Sequence, residues 1–296
     1  MRIVSLVPAA TELLFALGVG DDVVAVSHEC DFPLVVDELP RVTRALLPEG
    51  LEPAELDAAV RALSEEGRAL YELDESRLHA LAPDVIVTQG VCRVCAISLE
   101  QVNDLAAHME PAPEIVTLEP TTLGEVLSDI RTLARATDTK DAGVDLIGAV
   151  ADRIDRVRLA VRGARPVRVA TVEWLDPVYV AGHWTPQLIE YAGGVDVAGL
   201  SGEPSELSSW EELAALQPEV VVVMPCGYGL ERAHEEAESY GDELAELGAR
   251  RVVAVDANAL FSRPGPRLVD ALELMAHLLH PDRVPDTPVP LMEVYL

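Results

Sequence analysis

Lysine is almost absent from this chain. Lys140 stands alone beside 21 arginines, and 22 basic residues face 51 acidic ones for a formal net charge of −29. A surface this acidic repels phosphate backbones, which excludes nucleic acid as an expected partner. The acid excess and arginine bias suit a heavily hydrated, salt-adapted surface. Aromatic residues make up only 4% of the chain and cysteine occurs four times, so each of these side chains can be followed individually. No apolar run approaches the roughly 20 residues of a membrane span. The opening "MRIVSLVPAATELLFALGVG" lacks the basic, apolar and small-residue layout of a secretory signal. The expectation is a cytoplasmic protein with thiols in place of disulfides. Export is the alternative if the true start lies upstream.

What is present is ordinary globular composition, 49% hydrophobic and 25% charged, in 296 residues, enough for two lobes. The chain repeats itself. "LHALAPDVIVTQG" at 78–90 matches "LAALQPEVVVVMP" at 213–225, an offset of 135. "EIVTLEP" at 114–120 pairs with "RVVAVDA" at 251–257, and "RIVSLV" at 2–7 with "VRVATV" at 167–172, offsets of 137 and 165. The larger last offset is explained by a polar helical insertion over 46–74. Between the halves, Ile147, Val150, Ala151, Ile154, Val157 and Val161 recur at helical spacing. They predict a linking helix over 139–164, ended by Gly163 and Pro166. The fold class expected is α/β, two lobes with mainly parallel central sheets joined by one long α-helix. The lobes run 1–138 and 165–296.

In parallel sheets, ligands gather beyond the carboxyl ends of the strands. Those positions carry His28, Glu29, Cys30, Asp31 and Phe32 after the second strand, and Gln89, Cys92 and Cys95 after "DVIVTQ". In the second half they carry Glu173 and Trp174, then His183 and Trp184, then Cys226 and Tyr228, and finally Phe261, Ser262 and Arg263. All four cysteines fall in such loops by this reading, although cysteine is among the most buried residue types. The Cys-x-x-Cys of "GVCRVCA" leaves three readings open. It is a redox pair, a part of a composite metal site with Cys30, Cys226 and a histidine, or a pair of thiols lining a pocket. Flat indole faces suit a large planar ligand, and Arg263 suits a carboxylate, amide or phosphate. His79, His108, His234, His277 and His280 read as ordinary surface or helix residues.

These segments carry a resemblance. "RIVSLVPAATELLFALGVGDDVVAVSHECDFP", "LHALAPDVIVTQG", the linking helix, "SSWEELAALQPEVVVV" and "SRPGPRLVDALELMAHLLHP" resemble the substrate-binding proteins of iron-siderophore, haem and vitamin B12 importers. The chain is most similar to the cobalamin-binding branch, in a subgroup without export signals. The resemblance implies a class III periplasmic-binding-protein-like, bilobal fold that grips its ligand in the inter-lobe cleft and moves little. It also implies docking on an ABC permease through one acid on each lobe. Glu211 or Glu212 matches the second-lobe acid, while the first-lobe position is Ser76, next to Glu75. Where the familiar receptors have first-lobe tryptophans, this chain has Phe32 and cysteines.

The function expected is therefore non-enzymatic binding of cobalamin or a related corrinoid or tetrapyrrole by a monomer, with no cofactor required and a permease as the further partner. The alternative is an intracellular metal or metallocofactor protein using Cys30, Cys92, Cys95 and Cys226. Catalysis ranks third. His28, Glu29, Cys30 and Asp31 could do acid–base or nucleophilic chemistry, but "GVGDD" lacks a phosphate-loop spacing and no nucleophile triad order is present.

Overall fold

A computed structural model describes residues 1–48, 50–51, 53–66, 69–90, 97–287 and 289–296. The chain divides into two compact units, Met1–Pro120 with Gly124–Gly148, and Thr121–Leu123 with Ala149–Leu296.

The strands of the first unit are β1 (Ile3–Ser5), β2 (Val23–Val26), β3 (Thr43–Ala45), β4 (Tyr71–Leu73), β5 (Val85–Gln89) and β6 (Glu114–Leu118). Its helices are α1 (Pro8–Ala16), α2 (Pro53–Glu65), α3 (Glu75–Leu81), α4 (Leu99–Ala107) and α5 (Leu123–Ala136), followed by α6 (Lys140–Ala160). Four strands form a wholly parallel sheet in the order β2-β1-β5-β6. Both faces are covered, as parallel sheets require. Ile3 and Val87 face a cluster with Leu13, Leu14, Ile130 and Leu133, while Val4 and Ile86 face another with Leu78, Val102 and Leu105. The helical insertion expected over 46–74 is more than a helix. It is α2 carried between β3 and β4, which pair antiparallel as a ribbon of their own.

The second unit adds β7 (Val167–Leu175), β8 (Val178–Val180), β9 (Gly194–Asp196), β10 (Glu206–Leu207), β11 (Val220–Val223), β12 (Arg251–Val255) and β13 (Leu291–Glu293). Its helices after α6 are α7 (Thr185–Tyr191), α8 (Trp210–Ala215), α9 (Leu230–Ser239), α10 (Gly241–Glu246), α11 (Ala257–Leu260) and α12 (Leu268–Leu279). The sheet runs β10-β8-β7-β11-β12-β13, with β9 beside β7. Its centre, β7-β11-β12, is parallel, and antiparallel strands extend each side.

The internal repeat is visible in the ladders: β1-β5-β6 and β7-β11-β12 have the same order and direction. One offset needs correction. Ile3 lies beside Val85 and Val169 beside Val220, so the first strand pair is related by 166 residues rather than 165. In a strand a one-residue slip exchanges the two faces, and the pairing resolves what similar letters could not.

The helix read over 139–164 spans Lys140–Ala160, and the boundary between the units falls inside it. Its start lies against the first unit. A Cβ at Gly143 would come within 2.6 Å of the Ala134 Cβ, so glycine there permits close helix contact. Its later turns are tied within the second unit, where Arg153 grips Glu273 with two nitrogens at 2.6 and 2.9 Å and Asp270 at 2.6 Å.

Candidate functional site

In the first unit, the loop after β2 turns sharply at His28 and Glu29. Arg41 holds this turn from below, donating to the Ser27 carbonyl at 3.2 Å and the Cys30 carbonyl at 2.6 Å. His28 is half-buried. Its backbone nitrogen lies 2.9 Å from the Thr43 hydroxyl and its Nδ1 lies 2.7 Å from the same oxygen. The Tyr71 ring packs against the imidazole at 5.3 Å, and its hydroxyl donates to Glu29 at 3.3 Å. Burial, then the Arg41 charge, lowers the His28 pKa and favours the neutral ring. Thr43 and Tyr71 belong to the β3–β4 ribbon. Neither stands directly after a sheet strand, so reading strand ends alone could not find them.

Of the four cysteines, Cys30 and Cys226 lie among the described residues. Cys30 is 1% exposed and belongs to the hydrophobic core, with its sulfur 3.1 Å from the Thr11 hydroxyl and 3.2 Å from that of Ser27. Cys30 follows a strand end as read, yet its side chain joins the core in place of lining a ligand pocket. The turn at His28 and Glu29 brings the Cys30 sulfur against Thr11 of α1. Cys92 and Cys95 lie outside the described residues. Among those described, no group of three or more His, Cys, Asp or Glu is arranged to hold a metal ion. Asp31 and Phe32 are exposed, Phe32 by 43%, and Gln89 is half-buried at the end of β5.

In the second unit, β7 makes a bulge between Val172 and Trp174 before entering the hairpin to β8. Trp174 is half-buried and meets the Tyr228 ring edge-on, centroids 5.9 Å apart. Arg232, in the first turn of α9, lays its guanidinium 3.7 Å from the centre of the Tyr228 ring and donates to its hydroxyl at 2.9 Å. The loop after β11 is tied in place by Cys226 N to Glu173 O at 3.2 Å and Gly227 N to Ser262 Oγ at 3.3 Å. Asn258 N donates to Tyr228 O at 3.0 Å. Thus Glu173, Trp174, Cys226, Tyr228 and Ser262 come together, joined by Arg232 and Asn258. The four-residue spacing of Tyr228 and Arg232 was the available signal for the former.

Three expected ligand contacts have inward roles. Trp184 is 8% exposed and its Nε1 donates to the carbonyl of Phe261, itself 2% exposed, at 2.9 Å. The pair packs the unit's interior, because a tryptophan facing inward still needs a partner for its N–H. Arg263 is 7% exposed and donates to Asn258 Oδ1 at 2.8 Å. His183 differs. It adopts a left-handed backbone, φ 51°, fixed by bonds from its N–H to Glu203 O at 2.6 Å and from Gly202 N–H to its carbonyl at 2.8 Å. Gly182 is required beside it, since a Cβ would strike the Glu203 carbonyl. Burial lowers the His183 pKa, so this ring also favours neutrality.

Glu75 and Glu211 are exposed in the first turns of α3 and α8, helices related by the repeat. Of the remaining histidines, His234, His277 and His280 bond backbone carbonyls at 2.9–3.0 Å, structural roles for each.

Residues 3–254 match the sequence profile of the periplasmic binding protein family. The vitamin B12-binding protein of Vibrio cholerae serotype O1 is 24% identical over 274 residues, covering 92% of this chain and 86% of that protein. The periplasmic haem-binding protein RhuT from Roseiflexus sp. RS-1 superposes with a TM-score of 0.68 at 25% identity, over 96% of this chain and 98% of its own. A periplasmic haem-binding protein from Pseudomonas aeruginosa gives a TM-score of 0.74 at 20% identity, over 100% and 98% of the two chains, a likeness of fold.

Proposed function

The chain belongs to the periplasmic binding protein family, and from that premise we propose that it is a non-catalytic receptor for cobalamin or a related corrinoid or tetrapyrrole. The observation that carries this reading is the Trp174–Tyr228–Arg232 stack. A half-buried indole is braced edge-on by a tyrosine that an arginine clamps. A flat apolar face held in one orientation gives a large ring ligand contact area with little entropy loss on binding. The names of the relatives support the ligand class, which includes both a corrinoid and haem.

Calorimetry with parallel absorbance titration against cyanocobalamin, dicyanocobinamide and haem tests the proposal. At least one should bind with a Kd well below about 100 μM. Trp174→Ala should weaken that binding about tenfold or more, in the range of a lost aromatic contact. Failure of all three to bind ends this reading. Glu75 and Glu211 are the proposed docking acids for a permease. Reversing both charges should abolish cellular uptake while leaving ligand affinity unchanged. The alternative proposal is a cytoplasmic counterpart that meets no permease; fractionation of the native host separates the two, and for a cytoplasmic protein the charge reversals should leave uptake unchanged.

A further inference from the structure

The hydrogen bonds around His28 determine which of its nitrogens carries the proton. The Thr43 hydroxyl oxygen lies 2.9 Å from the His28 backbone N–H, a fixed donor, so the oxygen accepts there. That hydroxyl has one hydrogen to give, and Nδ1 of the same histidine is 2.7 Å away. Thr43 is 7% exposed, and these two contacts are its only side-chain hydrogen bonds among the described residues. If Nδ1 carried the proton, the hydroxyl would accept twice and its own hydrogen would lie buried without an acceptor, an expensive arrangement. With Nδ1 accepting, a neutral imidazole holds its proton on Nε2.

Two further contacts keep the ring in this state. Arg41 bonds the carbonyls on both shoulders of the turn, at Ser27 and Cys30, and after burial its charge further disfavours the protonated imidazole. Tyr71 covers one side of the ring at 5.3 Å. Nε2 makes no hydrogen bond among the described residues. A protonated Nε2 has no lone pair available for a metal, and Nδ1 is occupied by Thr43.

We propose that His28 is a positioned Nε2–H donor to an oxygen acceptor on the ligand's rim, and that its ring nitrogens take no part in binding a metal. The acceptor class is a carboxamide or carboxylate oxygen carried on a side arm of the ring. This rests on the proposed function for the ligand, whereas the protonation state belongs to the protein alone. In this proposal Thr43 and Arg41 are positioning residues and His28 is the donor.

Long-range nitrogen–proton NMR of histidine-labelled, ligand-free protein reads the tautomer directly. The expected result at pH 7.5 is a His28 ring protonated on Nε2 in the wild type and in Thr43→Ser, with a mixture of tautomers in Thr43→Val. Cyanocobalamin affinity should fall about fivefold in Thr43→Val and in His28→Phe, the scale of one neutral hydrogen bond. Thr43→Ser should retain it. Aquacobinamide, which offers an open cobalt face, should bind without the absorbance change of imidazole ligation. A ring protonated on Nδ1, or an imidazole-ligation spectrum that disappears in His28→Phe, overturns the assignment. If neither corrinoid binds, the proposed function fails, and the ligand-free tautomer still decides the protonation claim.

Discussion

Asp129, on α5, carries a buried carboxylate oxygen without a hydrogen-bond partner among the described residues, and its pKa is pushed up to about 7 by burial, then by Glu125 and Glu119. The unfolded chain titrates near 4. The folded state therefore holds the proton more tightly, and the associated stability is complete below pH 4 and lost as pH rises to 7. Asp129→Asn should match the wild type at pH 4 and exceed it above pH 7. The gain is about 1–2 kcal/mol, because the carboxyl is only half-buried and solvent screening reduces the full linkage value. Urea denaturation at the two pH values checks this. At the same scale, the indoles show what residue type does and does not reveal. A tryptophan near a strand end is equally suited to face a ligand or the interior, and only its contacts separate Trp184, whose Nε1 donates to Phe261 O, from Trp174, edge-on to Tyr228. Cys30 was misread for a related reason. "HECDFP" gives no sign that Arg41, eleven residues on, will pull the turn into a shape that hides the thiol.

Among the elements, α6 was the most legible, because at the spacing read from the sequence Val157 is buried and Ile147, Val150, Ala151 and Ile154 are partly buried, as periodicity requires. Its anchorage was not. Arg153 meets Asp270 and Glu273 across more than a hundred residues of sequence, with side chains 29%, 24% and 21% exposed. A fork-shaped, partly buried pair of this kind contributes more than a surface ion pair. Removing only the cation leaves two carboxylates crowded together. Arg153→Met should lower stability by about 1–3 kcal/mol, measurable by chemical denaturation. Glu273→Gln should cost less, because Asp270 still neutralises the guanidinium. The 46–74 insertion shows the reverse balance of legibility. Its helix is evident in composition, yet the short strands that flank it are three residues each and too brief to leave a period-two signature.

The whole molecule carries a net charge of −29, and like charges at that density repel through any solvent with a long screening length. Raising NaCl from 0.1 to 1 M should increase the melting temperature by about two degrees, on the order of one kcal/mol for a chain of this size. A flat or falling Tm in calorimetry would remove the salt-adaptation reading. The duplicated plan was also a whole-chain property, found because β-branched runs at 85–89 and 220–223 recur with their preceding helices. The duplication stops short of the chemistry. Among the described residues the second unit has no separate two-stranded ribbon like β3–β4, so the repeat supplies no second copy of Thr43 and Tyr71. A hybrid assembled from two copies of the later half would gain a second braced indole and forfeit the imidazole donor altogether. Paring the earlier half to the common core would discard the side chains that aim it.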